Sequence, residues 1–170
     1  MNHDLTNAIA VIGFSGRFPG ADDIDAFWNN LRNGVESIRP FTKNELIESN
    51  VDPVVMNHPN YVNMGAPFED SDKFDAAFFG YLPKEAEKMD PQHRVILELA
   101  WSAFEHAGYD PDRYPGLVGV FSGIARNSYL TGNLLSHPEI NTTVGEYDMM
   151  IGNERDFPAA RIAFKLNLRG

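Results

Sequence analysis

Glycine, serine and histidine are the residue types in this chain that could bind phosphate or take part in catalysis. Gly13, Gly16 and Gly20 follow a predicted strand and precede a predicted helix, but their spacing matches neither G-x-G-x-x-G nor a Walker loop. We interpret them as turn glycines between a strand and a helix. Ser15 and Ser122 each stand beside a glycine, yet neither fits the G-x-S-x-G motif of a nucleophile elbow. The sequence therefore predicts neither a nucleotide site nor a serine nucleophile.

Histidines and carboxylates give no recognisable metal or acid–base site. His93 and His106 lie on one long predicted helix, whereas His3, His58 and His137 lie in polar loops. None of these spacings matches H-E-x-x-H or a similar ligand pattern, so we expect surface or hydrogen-bonded side chains and no metal site. Acidic residues are spread along the predicted helices, and spacing assigns no carboxylate pair. By its residues alone, the chain is an α/β domain without a visible catalytic group.

Composition narrows the possible partners. The chain has no cysteine, which excludes disulfides, thiolate ligands and a cysteine nucleophile within it. Its formal net charge of −10 argues against nucleic acid or an anionic membrane as a partner, because both need a basic surface. Arg161, Lys165 and Arg169 form one local basic group, which we interpret as a solvated helix face rather than a binding patch. Without a signal peptide or a membrane span, we predict a cytoplasmic protein.

Capping residues in the sequence predict the ends of two helices that could position a site. Asp22 or Asp23 begins a helix with apolar residues at helical spacing, and Gly34 is placed to end it. A longer helix begins at Asp90 and runs to Gly108. Apolar residues lie nearly all round this longer helix, which predicts that it is buried between layers.

Two apolar segments, 9–12 and 117–123, predict buried strands that we expect to share a sheet. Shorter helices are predicted over 42–48 and 83–89. A last helix begins near Asp156, and four of its residues are expected to be buried: Ala159, Ile162, Ala163 and Leu166. Strands separated by long helices indicate an α/β fold with a parallel or mixed sheet.

Five segments, in order along the chain, resemble the β-ketoacyl synthase (ketosynthase) family of modular polyketide synthases. They are IAVIGFSGRFPGA at 9–21, DAFWNNLRNG at 25–34, FDAAFFG at 74–80 with MDPQHRVILEL at 89–99, VGVFSG at 118–123 and DFPAARIAFKLNLRG at 156–170. The resemblance implies a thiolase-like α/β fold, of which the chain is the first, N-terminal half, a mixed sheet flanked by helices. It implies a leader at 1–8, close to a native N-terminus, and at 9–170 the N-terminal part of a ketosynthase domain, truncated before its nucleophile.

The resemblance also implies an activity for the parent enzyme. In the family, a cysteine carries an acyl group, and two histidines assist its decarboxylative Claisen condensation with a malonyl-type extender. The extender arrives on the phosphopantetheine of an acyl carrier protein. Because the cysteine and both histidines lie outside the matched segments, no catalytic, cofactor-binding or metal residue is carried over. The 170-residue chain alone is predicted to be inactive and to bind no cofactor. Its implied partners are a second copy in a homodimer, the carrier protein and the rest of the ketosynthase domain.

Six residues receive supporting roles from the resemblance. Asp90 and Pro91 begin the long helix, and Arg94 is expected to pair with acidic or carbonyl groups inside the fold. At position 93 the family more usually has glutamine. The polar stretch 126–153 corresponds to the family's dimer loop, and within it three apolar residues are candidates for the acyl pocket or the dimer contact: Met149, Met150 and Ile151. Local packing under the loop is an equally good interpretation of these three.

A non-catalytic dimerisation or scaffold module is the alternative function. In that case a degenerate ketosynthase half would contribute an interface and no chemistry. The condensing enzyme requires an intact cysteine further along the reading frame, whereas the scaffold module does not.

Overall fold

The computed structural model describes residues 8–137 and 146–170. His3, most of the leader at 1–8, and residues 138–145 of the predicted dimer loop lie outside them. The described residues form two compact units, one made of Gly16–Asp70 and the other of residues 8–15 with those after 70. Each unit is described by itself.

The unit Gly16–Asp70 contains three helices and one small sheet, namely α1 (Ile24–Asn33), β1 (Arg39–Pro40), α2 (Lys43–Glu48), α3 (Pro53–Met56) and β2 (Met64–Gly65). Asp23 rather than Asp22 caps α1, because its carboxylate accepts the N–H of Ala26 at 2.7 Å. Gly34 ends α1 with φ of 63°, a conformation that glycine adopts without strain. Both ends of this helix are therefore fixed by local sequence.

The α2 helix begins at a capping box. Glu45 N–H donates to the Thr42 hydroxyl at 3.2 Å, and the Glu45 carboxylate accepts the Thr42 N–H at 2.7 Å. A hydrogen bond from Arg39, followed by those from Thr42, lowers the pKa of Glu45 to about 2. Strand β1 pairs antiparallel with β2. These contacts give regular structure to a region whose sequence predicts one short helix.

The other unit contains α4 (Pro83–Lys88), α5 (Pro91–Ala107), a π-helix (Leu130–Leu134), α6 (Glu146–Asn153) and α7 (Phe157–Lys165). Helix α5 packs on α7, and the core lies where they meet. Its buried members are Phe79, Leu97, Ile162 and Leu166. The predicted last helix is thus present, with Ile162 and Leu166 buried as expected, while Ala159 and Ala163 are half-buried.

The prediction that α5 is buried between layers is wrong for the part of the chain that the structure describes. Only His93, Arg94 and Leu97 of this helix are buried, and most of its apolar side chains are half-exposed. The apolar side chains predicted for α5 are present, but the other described residues bury only some of them. Met149, Met150 and Ile151, which the resemblance places in the dimer loop, are part of the helix α6.

The segments 9–12 and 117–123 are not strands and do not share a sheet, contrary to their prediction. A strand forms only against a neighbouring strand that accepts and donates its backbone hydrogen bonds, and within residues 8–137 and 146–170 neither segment has one. Ile9 and Phe121 are 94% and 98% exposed. The later segment is tied to the chain end by one bond, from the N–H of Val118 to the carbonyl of Arg169 at 3.0 Å.

Gly13 has a packing role rather than the predicted turn role. A Cβ added there would lie 2.6 Å from the carbonyl oxygen of Ala103 and 2.7 Å from the Cβ of Ala107. The backbone of residues 8–15 therefore passes directly over the end of α5. Ser15 fixes the same approach by donating its hydroxyl to the carbonyl of Leu99 at 2.7 Å.

Candidate functional site

The start of α5 is the best-defined part of the candidate site. Asp90 caps the helix by accepting the N–H of Gln92 at 2.8 Å, and Pro91 occupies the first helical position. The Asp90 backbone N–H also donates to the carbonyl of Gly152 in α6 at 3.0 Å. Asp90 therefore joins the beginning of α5 to the end of α6.

Asn153 makes a second connection, from the end of α6 to the last residue of α4. Its buried amide donates to the carbonyl of Lys88 at 2.7 Å and to the carbonyl of Met149 at 2.8 Å. The amide of Asn127 donates in turn to the side-chain oxygen of Asn153 at 3.0 Å. A buried amide satisfied in this way holds its neighbours in one arrangement, because each lost bond would leave a polar group unpaired.

The three apolar candidates take different positions on α6. Met149 and Ile151 are half-buried, and each backbone carbonyl accepts a hydrogen bond, from Asn153 and Arg161 respectively. Met150 is 44% exposed, and Tyr147, one turn before it, is 66% exposed. Residues three apart share a helix face, so Tyr147 and Met150 form one outward apolar face.

Arg94 is buried beside the same junction. Its guanidinium donates to the carbonyl of Asp72 at 3.2 Å and lies over the ring of Tyr129, 5.8 Å from the ring centroid. The Tyr129 hydroxyl donates to the carbonyl of Glu87 at 2.6 Å, and burial raises the pKa of this phenol. Arg94 thus connects α5 to the backbone before α4 and to the segment before the π-helix.

His93 departs from the expectation of a surface or hydrogen-bonded histidine. It is fully buried, and neither ring nitrogen has a hydrogen bond of ordinary geometry within the described part of the chain. Burial lowers the pKa of His93 to about 4, with a further contribution from nearby Arg161, against smaller opposing effects of Asp90 and the Glu154 backbone. The ring is therefore neutral at physiological pH.

Arg161 and Lys165 do not form the solvated helix face that their spacing predicts. Arg161 donates to the hydroxyl of Tyr81 at 2.8 Å, and Lys165 donates to the carbonyl of Phe79 at 2.7 Å. The Lys165 ammonium lies 3.8 Å from the centroid of the Tyr81 ring. Burial, and then the charge of Arg161, lower the pKa of Lys165. Arg169 is exposed.

Sequence reasoning missed the residues that join these elements, namely Gln92, Asn127 and Asn153. Gln92 accepts the N–H of Ala125 at 2.8 Å, and the bond between Asn153 and Lys88 joins residues far apart in the chain. No local spacing marks such pairs. The only feature of the sequence that could have indicated these residues is that their polar side-chain amides lie near apolar residues of the helices.

The described residues hold no group of three or more histidine, cysteine, aspartate or glutamate side chains that could bind a metal ion. Among the same residues, no helix combines the length and apolar character needed to cross a membrane.

Known proteins agree with the resemblance. The family described as "Beta-ketoacyl synthase, N-terminal domain" matches residues 6–170. A phenolphthiocerol/phthiocerol polyketide synthase polypeptide of Mycobacterium tuberculosis is 44% identical over 170 residues, covering 96% of this chain and 11% of that protein. Polyketide synthase PksM of Bacillus subtilis is 39% identical over 165 residues, covering 95% of this chain and 4% of that protein. The chain thus spans a small part of these relatives.

Solved structures give the same result for the fold. Ketosynthase twelve of the bacillaene polyketide synthase from Bacillus amyloliquefaciens superposes with a TM-score of 0.75 at 32% identity, covering 95% of this chain and 28% of that one. The fold is therefore the thiolase-like fold of ketosynthase domains. The chain belongs to the β-ketoacyl synthase family, as the N-terminal portion of a polyketide-synthase ketosynthase.

Proposed function

We propose that this chain forms part of a condensing enzyme that lengthens an acyl chain by decarboxylative Claisen condensation. The family match over residues 6–170 is the observation that carries the proposal. In the first step a cysteine thiol attacks an acyl thioester, the acyl group moves to the cysteine, and the donor thiol leaves. In the second step a malonyl-type thioester loses carbon dioxide, its enolate carbon attacks the acyl-cysteine carbonyl, and the cysteine thiol is released.

The chain has no cysteine, so the nucleophile comes from a residue outside it. The two histidines that assist condensation are likewise outside, since none here matches the family's positions. We infer that the 170-residue chain has no condensing activity and binds no cofactor. Phosphopantetheine enters the reaction on the carrier protein, which delivers the extender.

The chain's own contribution is structural support for the site. The bond of Asp90 fixes α6 against the start of α5, and the bond of Asn153 fixes it against the end of α4. With α6 fixed, Met149, Met150 and Ile151 help form the wall of the acyl pocket or the contact with a second copy of the enzyme. The partners are that second copy in a homodimer, the carrier protein and the rest of the ketosynthase domain, in the cytoplasm. Residues 9–170 form the domain portion and 1–8 its leader.

Acylation of the polypeptide that carries this chain tests the proposal. That polypeptide is incubated with an acyl thioester, and mass spectrometry measures covalent acylation. We expect one acyl group on a cysteine, and a β-ketoacyl product once malonyl-carrier protein is added. The 170-residue chain is the matched control and should remain unmodified.

Absence of both acylation and condensation would overturn the proposal. A polypeptide that still dimerises would then have the scaffold function instead. Acylation of the 170-residue chain would contradict the inference that its nucleophile lies elsewhere.

A further inference from the structure

Asn127 and Asn153 form a pair of side-chain amides whose orientation is set by backbone groups. The Asn153 amide nitrogen donates to the carbonyls of Lys88 at 2.7 Å and Met149 at 2.8 Å, so its oxygen faces the other way. That oxygen accepts the amide nitrogen of Asn127 at 3.0 Å. The Asn127 oxygen in turn accepts the backbone N–H of Leu130 at 3.0 Å. Because a carbonyl only accepts and a backbone N–H only donates, each amide has one orientation that satisfies all these bonds.

Asn127 joins the ends of two helices. Its nitrogen also donates, at 2.9 Å, to the backbone carbonyl of Asn153, the last residue of α6, where carbonyls lack partners within the helix. Its oxygen accepts the N–H of Leu130, the first residue of the π-helix, where N–H groups lack such partners. An amide has a donor and an acceptor side, which suits it to this bridge. Aspartate at neutral pH only accepts, and it would bring a negative charge to the carbonyl end of α6.

The backbone around Asn127 is itself fixed to α5. The Gln92 side chain accepts the N–H of Ala125 at 2.8 Å and donates to the Asp90 carboxylate at 3.2 Å. Asn127, two residues further along, therefore reaches α6 from a backbone that the cap of the long helix holds in place. On its other side, Leu134 of the π-helix is fully buried. The bridge thus sets where α6 lies relative to both α5 and the π-helix.

We propose that Asn127 is a positioning residue for recognition of the acyl chain. It holds α6 and the π-helix together, so that the apolar residues Met149, Met150 and Ile151 are in place to contact a long acyl substrate. This inference rests on the proposed condensing function. The free energy of burial increases with each methylene, so a long chain depends on an apolar wall more than a short one. Displacement of α6 should therefore weaken binding of long acyl chains selectively.

Asn127→Asp is the decisive variant, because aspartate keeps the shape of the side chain and removes its donor. In the polypeptide that carries this chain, KM and kcat for acylation are measured with octanoyl and acetyl thioesters at pH 7. We expect the octanoyl KM to rise about tenfold, as for the loss of one hydrogen bond, with its kcat and both acetyl constants unchanged. A merely structural role would impair both thioesters alike. Asn133→Asp is the matched control, since it adds the same charge at an exposed position of the π-helix.

Acidification should rescue the same variant. The introduced carboxyl faces the oxygens of Asn153, which favours its protonated form, and a carboxylic acid donates a hydrogen bond as the amide does. At pH 5, the ratio of the octanoyl KM to the acetyl KM should return towards that of the original polypeptide. The ratio in Asn133→Asp should be the same at pH 7 and pH 5. Taking the ratio removes effects of pH that act on both thioesters.

Hydrogen exchange tests the bridge without the condensation reaction. In Asn127→Ala the N–H of Leu130 loses its acceptor, so the peptide that contains Leu130 should exchange about tenfold faster, whereas Asn133→Ala should exchange as the original does. Unchanged exchange in Asn127→Ala would overturn the proposal. So would an octanoyl KM in Asn127→Asp that does not rise, or that rises no more than the acetyl KM. An original polypeptide that fails to react even with the acetyl thioester would reject the proposed function, and this role with it.

Discussion

The backbone N–H of Asp90 donates to the carbonyl of Gly152 at 3.0 Å, so the N-cap residue of the long helix is bonded to the helix that carries Met149, Met150 and Ile151. The position of these three apolar candidates is thus tied to the cap of α5. A change at the junction should alter both the stability of the unit and the shape of the surface that α6 presents.

Asn153→Ala tests the junction most directly. The substitution removes the donors to the carbonyls of Lys88 and Met149 and the side-chain oxygen that accepts from Asn127. We expect the free energy of unfolding to fall by about 2–3 kcal/mol, measured by urea denaturation. Asn133→Ala is the control, because Asn133 is exposed; its effect should stay within about 0.5 kcal/mol. Equal losses in the two variants would show that the buried network does not stabilise the chain.

Asp90→Ala should shorten or destabilise α5. The alanine cannot accept the N–H of Gln92, and loss of such a cap costs about 1 kcal/mol. Asp156→Ala is a matched control, since Asp156 precedes α7 without a side-chain capping bond. Circular dichroism during thermal unfolding should show a lower midpoint for Asp90→Ala alone. Asp90→Asn should recover most of the loss, because asparagine keeps a capping oxygen.

Helices α1 and α5 were predictable because their boundaries are local. Asp23 and Gly34 lie next to α1, and Asp90 and Gly108 lie next to α5, so the sequence alone contains both caps. The strands were not predictable. Apolar composition identifies a segment that can form a strand, but it does not identify the neighbouring strand that would form hydrogen bonds with it. Segment 117–123 has a strand-like sequence and no strand beside it in the described residues.

The candidate site was less predictable than the helices for the same reason. Asn153 and Lys88 are 65 residues apart, and their hydrogen bond depends on how α4 and α6 pack. His93 has the sequence context of an ordinary helical histidine, and only packing shows that its ring is buried. Charge spacing was misleading as well, because Arg161 and Lys165 turn towards Tyr81.

Met150→Glu, made in the polypeptide that carries this chain, tests the outward face of α6. A carboxylate beside Tyr147 would be costly to bury in an apolar contact. We expect the dimer dissociation constant or the KM for long acyl thioesters to rise by about tenfold. Met64→Glu is the control, because Met64 is similarly exposed on β2. No change in either quantity would support the local-packing interpretation of Met150.

Exposed apolar residues should make the isolated 170-residue chain self-associate. Ile9, Leu117 and Phe121 are among the most exposed apolar side chains. Phe121→Asp should weaken association about tenfold, since burial of one such side chain contributes about 1.5–3 kcal/mol. Ser122→Asp adds the same charge to the adjacent exposed residue without removing apolar surface. Sedimentation velocity should separate the two variants, and a stable monomer in the original chain would contradict the prediction.

The free energy of unfolding should decrease as the pH is lowered, because His93 becomes protonated. Its pKa is about 4 in the folded chain and 6.5 at its ordinary value, so the unfolded chain binds the proton more readily. The contribution of the neutral ring is therefore complete above pH 6.5 and is lost as the pH falls towards 4. Between pH 7 and pH 5, we expect this group to reduce the free energy of unfolding by about 2 kcal/mol.

His93→Gln isolates this effect, because glutamine does not titrate in that range. Urea denaturation at pH 7 and pH 5 should show a pH-dependent loss about 2 kcal/mol smaller in the variant than in the original chain. His58→Gln, at an exposed position, is the control and should keep the original difference. If His93→Gln lost as much stability on acidification as the original chain, the buried ring would not be the group that responds to pH.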